Sequence, residues 1–433
     1  MSISNRQGSL PIAAAFAALA DGPLPFRVTA YDASSAGPPD AAIGLHLANE
    51  RAAAYLVTAP GELGLARAYV AGDLQLSGVH PGNPYLALRT LGDALLSRRP
   101  EPRDVLRLAT AIGVRRIIPP PPPPPQESLP DWRRITSGWL HSRGRDAEAI
   151  HHHYDVSNRF YEMVLGPSMT YTCSCYPTAD STLEQAQEHK HDLVARKLGL
   201  AEGMRLLDVG CGWGGMVMHA AREYGVRALG VTLSQEQAKW ARAEIKRQRL
   251  DHLAEVRYMD YRNVRETGFD AISSIGLTEH IGVRSYPAYF GALWERLRPG
   301  GRLLNHCITR PDNVHTPRVR GGFIDRYIFP DGELTGSGTI ITAMQNTGFE
   351  VRHSENLREH YARTCAAWCT NLVDNWEECV REAGEPTAKA WGLYLAGSQI
   401  GFETNQVQLH QVLGVRLHDD GGSDYPLRPD FGV

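Results

Sequence analysis

The chain has 433 residues, 42% apolar and 21% charged, the composition of a soluble globular protein too long for one ordinary core, so two domains are expected. A formal net charge of −3 speaks against a dedicated nucleic-acid binder. The seven cysteines are odd in number and scattered, with no C-x-x-C, which argues against a disulfide framework or structural zinc and suits a reducing cytoplasm.

No apolar run reaches the length of a membrane span. PIAAAFAALA (11–20) has the apolarity of a signal-peptide core, but only Arg6 precedes it, so a short helix is expected. FRVTAYD (26–32) and AAAYLVTA (52–59) are β-like and ELGLARAYVAG (62–72) is helical, which predicts a small α+β domain without a catalytic signature. Pro119 to Pro125 are seven consecutive prolines, read as a stiff polyproline spacer. Around it, between Arg98 and Arg145, ten arginines face four acids, a local charge of +6 interleaved with Trp132 and Trp139. That composition suits contact with anionic head groups, and it equally suits a solvated helical face. The expected division is therefore 1–118, a linker at 119–150, and 151–433.

Beyond residue 200 strands and helices alternate. MRLLDVG (204–210) is a strand and GGMVMHAAREYG (214–225) a helix; the strand RALGVTL (227–233) and a helix over 234–247 follow. The strands AEVRYMD (254–260) and FDAISSIG (269–276) precede the helix YPAYFGALWERL (286–297), a turn at RPGG (298–301) and the strand RLLNHCI (302–308). This is the pattern of an α/β, Rossmann-like, doubly wound parallel sheet, which binds ligands at the carboxyl ends of its strands.

DVGCGWGG (208–215) satisfies G-x-G-x-x-G through Gly210, Gly212 and Gly215, with Gly214 beside them. A dinucleotide site would place an acid at the end of the second strand, where GVTLS (230–234) has none. Asp208 stands instead before the glycines, where a carboxylate suits the cationic amino-acid end of S-adenosyl-L-methionine and would repel pyrophosphate. At the third strand's end Asp260 is placed to meet the adenine amine and Tyr261 to stack on the ring.

From HHHYDVSNRFYEMVLGPSMTYTC (151–173) to the C-terminus the chain resembles the cyclopropane-fatty-acyl-phospholipid synthase family of class I methyltransferases. LDVGCGWGG, GVTLSQEQ, DYRN, GLTEHIG, DRYIFPDGEL and HYARTCAAW carry the resemblance over about two thirds of the chain. TAYDASSAGP, GELGLARAYVAGDL, IHHHYDVSN and LLNHCITR are most similar to a branched-fatty-acid subgroup. The resemblance implies methyl transfer to the double bond of phospholipid-bound oleoyl chains, giving a 10-methylene-stearoyl lipid that a flavin-dependent reductase saturates to 10-methylstearate. Cyclopropane formation from the same substrate is the alternative, and a silent lipid-binding subunit a third reading. The resemblance also implies an N-terminal lipid-binding domain and a cytoplasmic enzyme peripheral on the inner face of the membrane. Homo-oligomerisation stays open.

By resemblance, a bound bicarbonate ion serves as base, held by Cys173 and Ile308 through backbone groups, by Glu279 and His306, and closed in by Tyr361. The same resemblance, with the strand-end reading above, assigns the cofactor lining to Tyr171, Thr172, Asp208, Gly210, Gly212, Gly214, Thr232, Leu233, Gln237, Asp260, Tyr261 and Ile275. MTYTCSCY (169–176) is accordingly a pocket wall rather than a metal clamp or a thiol nucleophile. His151 to His153 are not expected to hold a metal; His153 and Tyr154 line the pocket at most.

Overall fold

The computed structural model describes residues 10–20, 22–96, 101–113, 117–127, 156–314, 321–330 and 332–432. Most of the basic stretch around the prolines, with Trp132 and Trp139, lies outside the described residues, as do His151 to Tyr154. The chain forms two compact units that single cuts in the sequence do not separate. One comprises Met1–Pro130, Arg320–Ile328 and Leu372–Ile400; the other comprises Asp131–Val319, Phe329–Asn371 and Gly401–Val433. The expected catalytic block 151–433 thus gives two of its segments to the N-terminal unit.

That first unit holds a four-stranded sheet of β1 (Arg27–Ala30), β2 (Ser35–Ala36), β3 (Gly44–Leu47) and β4 (Leu74–Ser77), ordered β2-β1-β3-β4. Val28 and Ala30 on β1 alternate with Leu45 and Leu47 on β3 toward the core, the period of a half-buried strand. The β-like reading of 52–59 is corrected: Glu50–Thr58 is a helix, started by Asn49, whose side chain accepts from the Ala52 amide at 3.1 Å. Three consecutive alanines and a cap outweigh the lone Val57–Thr58 pair.

The spacer reading of the prolines is also corrected. Tyr55 donates its hydroxyl to the Pro122 carbonyl at 2.6 Å. Just beyond, the fully buried Glu127 carboxylate is clamped by Arg67 at 2.6 Å and by Arg326 at 2.7 Å. Proline cannot donate to a sheet, but its carbonyls accept, and the run is tied into the unit through them.

The second unit is a seven-stranded sheet. Its strands are β5 (Arg205–Val209), β6 (Arg227–Thr232), β7 (Ala254–Tyr258), β8 (Phe269–Ile275), β9 (Leu297–Thr309), β10 (Phe349–Asn356) and β11 (Gln408–Arg416). The order is β10-β11-β9-β8-β5-β6-β7. β5 to β9 pair in parallel as expected, while β11 runs antiparallel to both β9 and β10, so the sheet is mixed. The expected turn at RPGG lies inside β9 as a register shift opposite Phe269 to Ala271, with Gly300 at φ 73°. Leu206 faces one apolar layer with Val194, Met216 and Val256, and its neighbour Leu207 the other with Tyr289, Phe290 and Leu303. A strand covered on both faces is continuously apolar, as β5 is.

Candidate active site

At the carboxyl end of β5 the chain turns through Gly210, Gly212 and Gly214, with φ of 74°, 55° and 82°, into the helix Gly215–Tyr224. The amides of Gly210 and Cys211 both donate to the Val231 carbonyl, at 2.9 and 3.0 Å, which pins the turn to β6. A Cβ on Gly210 would sit 3.2 Å from Leu277 and hold a left-handed backbone.

Asp208, next to last in β5, is buried and accepts from the Ser273 hydroxyl at 2.6 Å, and burial pushes its carboxyl up to about 6. At the end of β6, Thr232 donates to Gln237 at 2.8 Å and accepts from the Ser234 amide at 3.2 Å. Leu233 between them is half-buried. Asp260 follows β7, and its carboxylate is taken up by the Arg262 guanidinium at 2.6 to 3.0 Å. That ion pair, not foreseen in the sequence, is a competitor for the expected adenine contact. Tyr261 packs edge-on against Tyr289 at 5.2 Å. Half-buried Ile275 ends β8 opposite His306.

The five positions expected around the anion are linked through a short chain of contacts. The Ile308 amide donates to Glu279 Oε1 at 2.6 Å. Ile308 pairs with Leu409 on β11, whose carbonyl accepts from the Leu357 amide at 2.8 Å. The Leu357 carbonyl in turn accepts from the Tyr361 amide at 3.2 Å and lies 3.8 Å from Cys173 Sγ. His306 lies two residues before Ile308, on the same face of β9. One detail departs from expectation: the Ile308 amide is spent on Glu279, so it orients that carboxylate.

Two atoms here are buried without a hydrogen-bond partner among the described residues, Glu279 Oε2 and His306 Nε2. Burial pushes the Glu279 carboxyl up to about 7 and the His306 imidazolium well below its ordinary range, the latter also opposed by Lys190 and Lys197. A near-neutral carboxyl and a neutral imidazole, each with one unmet polar atom, fit a small oxyanion that both donates and accepts.

Cys173 is fully buried and its thiol is pushed well up by burial, so it is no thiolate nucleophile. All seven cysteines are free and buried. Around this wall Tyr171 lies 5.6 Å from the fully buried Trp368, and Tyr361 is 6.1 Å from Trp368 and stacked on Phe402 at 4.4 Å.

Lys190 was missed in the sequence. It is buried on the helix Leu183–Leu198, donates to Thr172 Oγ1 at 3.1 Å, lies 3.1 Å from His191 Nε2, and is brought down to about 8 by burial. Lys197, seven residues on, shares its helix face. That spacing of two lysines on one face was the available signal.

A family model described as mycolic acid cyclopropane synthetase matches residues 141–412. The chain is 60% identical over 410 residues, 95% of both chains, to a probable fatty acid methyltransferase, Rv3720, of Mycobacterium tuberculosis. It is 31% identical to the tuberculostearic acid methyltransferase UfaA1 of the same organism, over 75% of this chain and 78% of that one. Among solved structures, the mycolic acid cyclopropane synthase CmaA1 complexed with SAH and CTAB matches with a TM-score of 0.58 and 32% identity, covering 62% of this chain and 97% of that one.

Proposed function

The chain belongs to the mycolic acid cyclopropane synthetase family, and we propose that it methylates the double bond of phospholipid-bound oleoyl chains to give a 10-methylene-stearoyl lipid, with bicarbonate as base. The coarser activity, S-adenosyl-L-methionine-dependent fatty acid methyl transfer, follows from the family and its class I methyltransferase fold. The observation that carries the bicarbonate reading is the pair of unmet buried atoms, Glu279 Oε2 and His306 Nε2, beside a Cys173 thiol that burial keeps protonated.

When bound, the sulfonium would supply an electrophilic methyl to the alkene, its sulfur–carbon bond giving way to the new carbon–carbon bond. The neighbouring alkene carbon would be left cationic. Tyr171, Tyr361 and Trp368 form a contiguous aromatic cluster, and aromatic rings beside the site would stabilise positive charge without reacting with it. When bound, bicarbonate supplies the base for the last proton. Glu279 and His306 are the side chains that would hold it. A hydride shift before proton loss gives the methylene; ring closure gives the cyclopropane. Relatives named for cyclopropane formation stand at 32% and 36% identity and the tuberculostearic acid methyltransferase at 31%, so the methylene reading leans on the subgroup motifs.

The N-terminal unit is proposed to meet an anionic membrane surface, with the lipid passed on to a flavin-dependent reductase. On the helix Pro102–Ile112, Leu108 and Ile112 are buried while Arg103, Leu106 and Arg107 are exposed; Arg103 pairs with Glu101 at 2.7 Å and Arg107 with Asp104 at 3.0 Å, so the exposed apolar Leu106, not free charge, is what this helix offers a surface. Among the described residues no helix is long and apolar enough to cross a membrane. The test is incubation with methyl-labelled cofactor and oleoyl phospholipid vesicles, with mass spectrometry for labelled lipid and proton NMR for product type. Vinylic methylene signals are expected; cyclopropane ring signals would select the alternative, and no labelled lipid would reject the reading. Vesicle binding that ignores lipid charge and salt would reject the electrostatic part.

A further inference from the structure

We propose that Lys197 and Gln411 are positioning residues that set the tautomer of His306, so that its proton sits on Nε2, the nitrogen facing the anion site. Gln411 on β11 pairs in register with His306 on β9, and its side chain reaches His306 Nδ1 at 3.2 Å. An amide has two distinguishable ends, and Lys197 decides between them. Its ammonium donates only, so the atom it meets at 2.7 Å is the Gln411 carbonyl oxygen Oε1. The amide NH2 is then left pointing at His306. With the amide flipped, NH2 would face an ammonium, donor against donor.

An NH2 only donates, so Nδ1 must accept, and a neutral imidazole accepting at Nδ1 carries its hydrogen on Nε2. Nε2 is the atom buried with no partner among the described residues. Burial and the charges of Lys190 and Lys197 keep the ring neutral, which makes the tautomer choice meaningful. Lys197 is itself steadied by an ion pair with Glu355, whose side chain is 30% exposed. The relay therefore runs from the surface through Glu355, Lys197 and Gln411 to His306. All three partners are long-range, and Lys197 and Gln411 are 214 residues apart.

The purpose assigned to Nε2–H rests on the proposed anion; the tautomer itself does not. The test uses the full chain labelled with 15N-histidine, the His306 signals being assigned by their loss in His306→Gln. Nitrogen NMR of the wild type is expected to show bare Nδ1 and protonated Nε2. In Gln411→Glu a carboxylate replaces the donor, and Nδ1 is expected to gain a proton. In Lys197→Met and Gln411→Met the bicarbonate concentration for half-maximal product is expected to rise about tenfold, one step of ~1.4 kcal/mol, with the cofactor KM within about twofold. A wild-type spectrum with Nδ1–H, or a Gln411→Glu spectrum with Nδ1 still bare, would overturn the proposal. The expected spectra with an unchanged bicarbonate response would uphold the tautomer and overturn the anion reading.

Discussion

Glu279→Gln is expected to make the folded chain more stable while abolishing product, by an amount that grows with pH. Burial is the first cause of the raised carboxyl, which stands at about 7 against an ordinary 4.5; hydrogen bonds from the Ile308 and Glu279 amides pull the other way without offsetting it. A carboxyl that ionises less readily folded than unfolded costs nothing while both states hold the proton. The cost appears as pH rises through 4.5, where the unfolded chain ionises, and becomes constant above about 7. At ~1.4 kcal/mol per pH unit the full penalty is about 3 kcal/mol, and only about 1 kcal/mol of it is present at pH 5. Glutamine keeps the shape and can still accept from Ile308 at Oε1, but it carries no charge. The variant should therefore exceed the wild type by about 1 kcal/mol at pH 5 and about 3 kcal/mol at pH 8.5 in equilibrium urea unfolding. Product should fall at least about 100-fold, the scale of losing the general base, because Glu279 is one of the two side chains that would hold the bicarbonate. A stability difference that does not change between the two pH values would refute the buried, charge-strained carboxyl.

Glu127→Ala strands the guanidiniums of Arg67 and Arg326, 15% and 11% exposed, and should cost about 3–5 kcal/mol, measured by urea unfolding of the full chain. A Cβ at Gly230 would lie 2.8 Å from both Cys211 Sγ and Val217 Cγ2. Gly230→Ala should therefore cost about 1–3 kcal/mol and weaken cofactor binding in calorimetry, because Cys211 belongs to the glycine turn. Trp368→Ala removes a fully buried ring between Tyr171 and Tyr361; about 3–5 kcal/mol of stability should be lost in the same unfolding assay, with product lost alongside.

Local pattern sufficed wherever a feature is carried by neighbouring residues. The strand–glycine–helix frame over 204–225 and the acid within it are written in a window shorter than thirty residues, each later strand of the alternation β5 to β9 is a short local run, and the structure forms these strands in parallel as read. Tertiary structure alone decided what depends on distant partners. The direction of β11 has no signature, because strand periodicity is the same either way. AAAYLVTA folds as helix once capped, and the prolines dock because Tyr55 and Arg67 happen to meet them and Glu127. Lys190, Lys197 and Gln411 went unread in the sequence. Burying a charge or an amide is tolerable only where partners meet it, and those partners come from other elements, so only the folded chain reveals them.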